Sequence, residues 1–528
     1  MKTVTLDALI EREDFDVLTS PGSVENTRNK STLSIEDLKY DSFFSPILRK
    51  PIFQRETNEW DTNKVVGLIE SFIKGELIPA IILWKSKSGY VFVIGGYVFV
   101  IDGAHRLSSL SAWINDDYGD GEISKKYYNN FISQEQRDIA EKTRELINNK
   151  VGSFKDLLKI TRNVDLAKNK EQKEYAKSLG SLALQLQWVD GDADKAEDSF
   201  FKINQSATKI SDAELELIQF RNKSYAVAAR AIVRAGKGYK YWADFSEEGN
   251  KTVEHLSQNI YNILFGKEGF NPNDINTFSI GGIQSSNFTL DVVTQTVKIC
   301  NDINDKNDFV DKLESEVIKY LKKVLNILQY INSTEKFSLG IHPFIYFYSD
   351  LGKHKIGSYY GFLLFIKLII EQKRLNDFTR IRGTFEDFIY QYSFLIQQIV
   401  RKYRQSKKAY EHISKFYKCI MDLLIENNNL DIAQIAKEII KNEEFMYLKV
   451  DLVDNEEVQI KGNFSRGKKQ QIKLKTFVKS IPRCPICNGY LSTKSTSVDH
   501  IQRKRDGGNN SIDNGQLTHI YCNTTYKN

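Results

Sequence analysis

"CPICNGYLSTKSTSVDHIQRKRDGGNNSIDNGQLTHIYCNTTYKN", residues 484–528, is the stretch that decides how the last domain folds. Cys484 and Cys487 form a C-x-x-C pair, and His519 with Cys522 repeats that spacing. So short a segment has almost no apolar core of its own and needs a staple. Two such pairs, brought together by an intervening hairpin, make a Cys3His donor set of the structural zinc type.

Between the pairs stand Val498-Asp499-His500-Ile501, then Gly507-Gly508, then Asn514, with Asn523 directly after Cys522. In order and spacing this resembles the HNH endonuclease family, which has the ββα-metal fold. The resemblance implies phosphodiester hydrolysis, which needs a base to activate water and a divalent cation at the scissile phosphate. It implies His500 as the general base. Asp499, on the other side of its strand, is then a metal ligand. Asn514 holds the turn and orients the histidine, and Asn523 is a second metal ligand. Mg2+ or Mn2+ suits these oxygen donors. His519 could be either the last histidine of the nuclease motif or a zinc ligand, and its phase with Cys522 assigns it to zinc.

Working outward, residues 461–505 carry twelve Lys or Arg against one acid, Asp499. The whole chain has a net charge of only +6, so the local excess is informative. Lys468, Lys469, Lys473, Lys475, Arg503, Lys504 and Arg505 are the expected contacts to a DNA phosphate backbone. Upstream, residues 226–455 show apolar residues at three- and four-residue steps with very little proline, which predicts a mainly helical middle domain. Its many aromatics read as core.

Residues 46–225 mix signals. The spacing over 63–74 predicts a helix capped by Asp61 or Thr62. The runs 78–84 and "SLALQLQWVD" read as strands, as does the echoed "GYVFVIGGYVFVIDGAHR" of residues 89–106. A Gly95-Gly96 turn would fold the echo into a hairpin, a reading preferred to one long bulged strand. The second copy delivers Asp102-Gly103-Ala104-His105-Arg106 to a strand-to-helix junction, with the helix beginning near Leu107. Helix N–H groups favour anions there, Arg106 can clamp a phosphate, and Asp102 can hold a cation or polarise water. The competing reading is a turn closed by a salt bridge.

Phe53-Gln54-Arg55 with Trp60, the strand at 78–84, the DGAHR cluster and residues 200–218 follow one another in order. They resemble the YQR…W, IPxI, DGQQR and F-x-x-x-N motifs of the ParB/sulfiredoxin-like domain of GmrSD-type restriction proteins. The resemblance implies a nucleoside-triphosphate-binding and hydrolysing α/β domain, with Gln54, Arg55, Asp102, Gly103, His105, Arg106 and Asn204 lining the site. Ala104-His105 departs from the Gln-Gln of many members; a related group with DGQHR includes DNA-binding regulators, so the resemblance leaves nucleotide sensing without turnover open.

At 528 residues, several domains are expected. The reading is an α+β multidomain chain: a lead-in over 1–45, the nucleotide-binding domain over 46–225, the helical middle over 226–455, and a basic linker with the HNH module over 456–528. Five cysteines are too few and too clustered for a disulfide framework, and no run is long enough to span a bilayer, so a cytoplasmic protein without a membrane partner is expected. The fusion resembles modification-dependent, type IV-like restriction and phage-defence nucleases. It implies an NTP-regulated, metal-dependent DNA endonuclease, with structural Zn2+, Mg2+ or Mn2+, and an NTP as cofactors. DNA, modified phage DNA among the candidates, is the expected partner, and a homo-oligomer is left open. The alternative is a non-cleaving, nucleotide-sensing DNA-binding regulator.

Overall fold

The computed structural model describes the chain apart from residues 1–2, 14–28, 52–53, 55–56, 58–59, 87–96, 129, 131, 208–211, 238–239, 267–270, 272, 284–285, 428, 451–463 and 527–528, and apart from the side chains of 194, 201, 204–207, 286–288 and 466. The chain divides into two compact units, Met1–Gln219 and Phe220–Asn528.

The first unit is built on a mixed sheet. Its strands are β1 (Glu11–Glu13), β2 (Thr32–Ser34), β3 (Leu48–Pro51), β4 (Ile81–Lys85), β5 (Val98–Asp102) and β6 (Ala183–Val189), in the order β1-β3-β5-β4-β6-β2. β1, β3 and β5 run parallel, so their carboxyl ends share one edge. β4 runs antiparallel to β5, and its first residues meet Asp102. The segment expected as a lead-in contributes β1 and β2, and buries Val4, Leu6, Leu9, Leu33 and Leu38 in the core of this unit. The reason is that isolated apolar residues in a polar stretch pack well once a sheet edge offers them a surface.

The helix Thr62–Ile73 follows its predicted span, and the Asp61 side chain accepts from the Lys64 N–H at 2.9 Å. The strand expected over 78–84 begins at Ile81, and the second YVFVI copy forms β5. The predicted hairpin at Gly95-Gly96 lies outside the described residues. The helix after the DGAHR cluster runs Ala104–Asn115, three residues earlier than expected. The cause is Gly103, whose φ of 101° turns the chain directly from strand into helix.

The second unit is a helical body. The helix Ile356–Glu371 is apolar nearly all round and therefore central. It packs against Ser406–Glu426, and Gly361 lets the two backbones approach, since a Cβ there would lie 2.4 Å from Ile413 Cγ2. Tyr346, Phe362, Phe365, Phe385 and Tyr417 interlock between these helices and Leu375–Gln391, so the aromatics are core, as expected. The residues expected as a basic linker include the helix Arg466–Lys479, which docks through buried Leu474 and Val478 and through Gln471 bonded to Asp350. The last strands, β7 (Thr496–His500) and β8 (Gly515–His519), form an antiparallel hairpin followed by a short helical turn through Cys522–Tyr526. Among the described residues no helix is long and apolar enough to cross a membrane.

His342 is fully buried at the start of the helix Pro343–Phe347, and burial, with Arg382 adding to it, pushes its pKa down to about 3. It stays neutral in the folded chain, while the unfolded chain takes up a proton near pH 6.5. Stability is therefore full above about pH 6.5 and falls by up to roughly 1.4 kcal/mol per pH unit as pH drops towards 3. Urea unfolding of wild type and His342→Gln between pH 7.5 and 4.5 is expected to show a shallower acid loss in the variant.

Candidate functional site

Two sites emerge, one in each unit. In the second, Cys484, Cys487, His519 and Cys522 are all buried, and their ligand atoms lie within 4.8 Å of one another. The knuckle closes on itself: the Asn488 N–H donates to Cys484 O at 2.8 Å, and the Cys484 N–H to Gly489 O at 2.9 Å. His519 Nε2 lies 3.0 Å from the Tyr490 carbonyl, so it carries the proton and turns Nδ1 towards the thiols, 3.3 Å from Cys487 Sγ and 3.9 Å from Cys522 Sγ. Thiol hydrogen bonds from Cys487 and Cys522 pull the Cys484 pKa far below the usual thiol range, while the other two thiols are held up by the same sharing. Burial lowers the His519 pKa and keeps it neutral. A soft, sulfur-rich set of four clustered donors that includes a neutral imidazole fits zinc.

The hairpin beside it carries the other tail residues. Asp499 is buried, and its Oδ2 accepts from Gln516 Nε2 at 3.0 Å across the ladder. Asn523 Nδ2 donates to Ser497 Oγ at 2.8 Å and to Val498 O at 3.3 Å, which places it over the strand that ends in Asp499-His500. His500 Nε2 lies 3.1 Å from Asn510 Oδ1. An amide oxygen only accepts, so this contact puts the ring proton on Nε2 and makes Nδ1 the basic nitrogen. Asn514 ties the loop from two sides: Oδ1 accepts from the Gln502 N–H at 2.8 Å, and Nδ2 donates to Gln502 O and Asn509 O. These bonds go to the loop, and Asn510 is a side chain that meets the His500 ring. Gly508 is needed there, since a Cβ would lie 1.9 Å from Gln502 O.

Lys468, Lys469, Lys473 and Lys475 are exposed on the outward side of Arg466–Lys479, and Lys504 and Arg505 are exposed in the loop after His500, with Arg503 half-buried. Sequence reasoning missed Gln516 and Asn510. Gln516 was findable only once the register of β7 and β8 was known.

In the first unit, Asp102 ends β5 and Gly103 turns the chain into a helix N-terminus. Arg106 Nη2 donates to Asp102 Oδ2 at 2.6 Å and to Ala80 O at 3.2 Å, so the turn is closed by the ion pair of the competing reading. A Cβ at Gly103 would lie 2.5 Å from Ile81 Cδ1. His105 stacks on Trp60, ring centroids 5.5 Å apart. Gln54 lies just beyond the carboxyl end of β3, the strand beside β5. Its segment is held by a buried charge cluster: Asp7 Oδ1 accepts from Lys50 Nζ at 2.7 Å and Arg12 Nη2 at 2.8 Å, and Arg12 Nη1 donates to Gln54 O at 2.5 Å. Gln54 Oε1 and Arg106 Nε are buried with no hydrogen-bond partner among the described residues, an arrangement that suits a polar ligand. Arg55 lies outside the described residues. Asn204 lies on the helix Ala193–Ala207, which packs against β5, though its side chain is outside the described set.

The two sites are a Cys3His hairpin in the second unit and a strand–turn–helix junction in the first. Residues 35–219 match the family described as GmrSD restriction endonuclease, N-terminal domain, and residues 484–528 match the family described as HNH endonuclease. The chain thus carries a GmrSD-type N-terminal domain joined to a C-terminal HNH nuclease domain. No curated protein and no solved structure matches the chain.

If Cys484, Cys487 and Cys522 hold zinc, a chelator such as 1,10-phenanthroline is expected to lower the melting temperature and make these three thiols reactive towards an aromatic disulfide reagent. Cys300, buried and with its pKa pushed above the usual thiol range, is expected to stay unreactive until the chain unfolds. Thiol counting before and after chelation checks it, and an unchanged count overturns the site.

Proposed function

We propose that the chain is an NTP-regulated, metal-dependent DNA endonuclease of the restriction type, acting in phage defence. The observation that carries the reading is the Asp499-His500 pair at the end of β7, with Asn523 above it, in a segment that matches the HNH family. Asp499 and Asn523 offer oxygen donors on the strand side away from His500, a set that would suit one Mg2+ or Mn2+. Such a cation supplies charge stabilisation at the scissile phosphate. His500, with its ring held by Asn510, takes a proton from water at Nδ1. The exposed lysines of Arg466–Lys479, with Lys504 and Arg505, grip the phosphate backbone without reading sequence.

The first unit binds the nucleoside triphosphate at the Gly103 turn, with Gln54, His105 and Arg106 beside it, and Arg55 and Asn204 are assigned to the site by the motif resemblance alone. Parallel strands present their carboxyl ends there, the usual place for such ligands. The Asp102–Arg106 ion pair favours a second reading, nucleotide sensing without turnover, because it occupies a carboxylate that hydrolysis would use. In either case binding shifts a conformational equilibrium that controls cutting. Modified phage DNA is the proposed target.

Supercoiled plasmid and modified phage DNA incubated with Mg2+, with and without NTP, test the reading. His500→Ala is expected to cut at least about 100-fold more slowly. Arg106→Ala is expected to abolish the NTP effect while leaving DNA binding in place. Equal nicking by wild type and His500→Ala overturns the nuclease assignment. An NTP response unchanged in Arg106→Ala overturns the nucleotide site.

A further inference from the structure

The helix Leu375–Gln391 carries an ion pair that neither the nuclease motif nor the zinc ligands include. Arg382 and Glu386 are 1% and 0% exposed and joined by a 2.6 Å bond from Arg382 Nε to Glu386 Oε1. Burying two charges is costly unless every donor and acceptor is used. Here the remaining bonds all converge on the zinc module and its support. Glu386 Oε2 accepts from the Tyr490 N–H at 2.5 Å, and Glu386 Oε1 also accepts from Tyr346 OH at 2.8 Å. Arg382 Nη1 donates to Leu339 O at 2.5 Å, and Nη2 to Gly340 O at 3.2 Å.

Both arms end on His519. Tyr490, held at its N–H by Glu386, holds His519 Nε2 with its carbonyl. Gly340, held by Arg382, lies against the ring beside that nitrogen: a Cβ there would come 3.0 Å from His519 Cδ2. The knuckle fits tightly over the pair, since a Cβ at Gly489 would lie 2.7 Å from Arg382 Nε. The neighbouring Asp387 receives Arg483 and the Tyr490 hydroxyl, so a second carboxylate on the same helix grips the same turn.

We propose that Arg382 and Glu386 are positioning residues of the metal site: through Tyr490 and Gly340 they fix the tautomer and ring plane of His519, so that Nδ1 faces the three cysteine sulfurs before metal arrives. Outer partners of metal-bound histidines commonly act this way. The helical body is then part of the zinc site, and the nuclease hairpin that shares β8 with His519 takes its placement from it. The inference rests on the zinc reading of the Cys3His set and is independent of whether the chain cuts DNA.

The test uses the full chain. Zinc release to a chromogenic chelator and the ligand-field spectrum of the cobalt-substituted protein are measured for wild type, Glu386→Ala, Glu386→Gln and the double variant Arg382→Met with Glu386→Met. Glu386→Ala is expected to release zinc about 10- to 100-fold faster and to shift the cobalt bands. Glu386→Gln, which keeps an oxygen for the Tyr490 N–H, is expected to recover most of the wild-type behaviour. The double variant removes both charges together and so keeps a folded body, and it is expected to resemble Glu386→Ala. Wild-type release and an unchanged cobalt spectrum in the double variant overturn the inference, as does a wild type that holds no zinc. A wild type that holds zinc but cuts no DNA fails the nuclease reading alone, and the release rates still decide the role of Arg382 and Glu386.

Discussion

Four soft donors at both ends of a 39-residue span, Cys484 to Cys522, meet at one point, and the Asp499-His500 pair lies between them. Such a segment has no apolar interior to enforce that meeting, apart from Leu491 and the half-buried Ile486 packed beside the cysteines. Its described partners come from the clustered Cys3His donors on one side and from the helical body on the other. Asn332 reaches Ser492, Ser338 meets Ser495 and accepts from the Tyr521 N–H, and the Tyr521 hydroxyl bonds Asn376. The hairpin that carries Asp499 and His500 is thus tied to the helical body by several hydrogen bonds.

The first unit solves a different problem. A strand must deliver a polar cluster to a sheet edge and hand over to a helix without a loop. Gly103 makes that possible by its left-handed backbone, and Arg106 closes the turn by reaching back to Asp102 and Ala80. The neighbouring strand brings Gln54 to the same edge, because β3 and β5 are parallel and in register from Leu48 with Val98. The buried Asp7, Arg12 and Lys50 cluster supports that strand end from below, so a segment that looked like a lead-in underpins the site.

Legibility in the sequence followed the range of the interactions concerned. The helix Thr62–Ile73 was readable because its cap and its apolar stripe are local, and so were β4, β5 and β6. The Cys3His set was readable because metal geometry demands particular residue types at short spacings. β1 and β2 were not, since three-residue strands carry no periodicity and exist only because a sheet edge receives them. Asn510, Gln516, Arg382 and Glu386 were invisible for the same reason. Each is an ordinary polar residue until a partner distant in the chain, or across a ladder, gives it a role.

The sequence by itself displayed the functional groups: a Cys3His set of soft donors, an Asp-His pair in a segment that matches the HNH family, a glycine turn beside an arginine, and a basic run. These follow from functional groups and short spacings, which a linear chain displays directly. The tertiary structure decided which nitrogen of His519 faces the thiols, which amide holds His500, and which buried charges stand behind the knuckle. Those depend on hydrogen-bond directions and on desolvation, and both arise only when residues more than a hundred positions apart, such as Glu386 and Tyr490, are packed against each other.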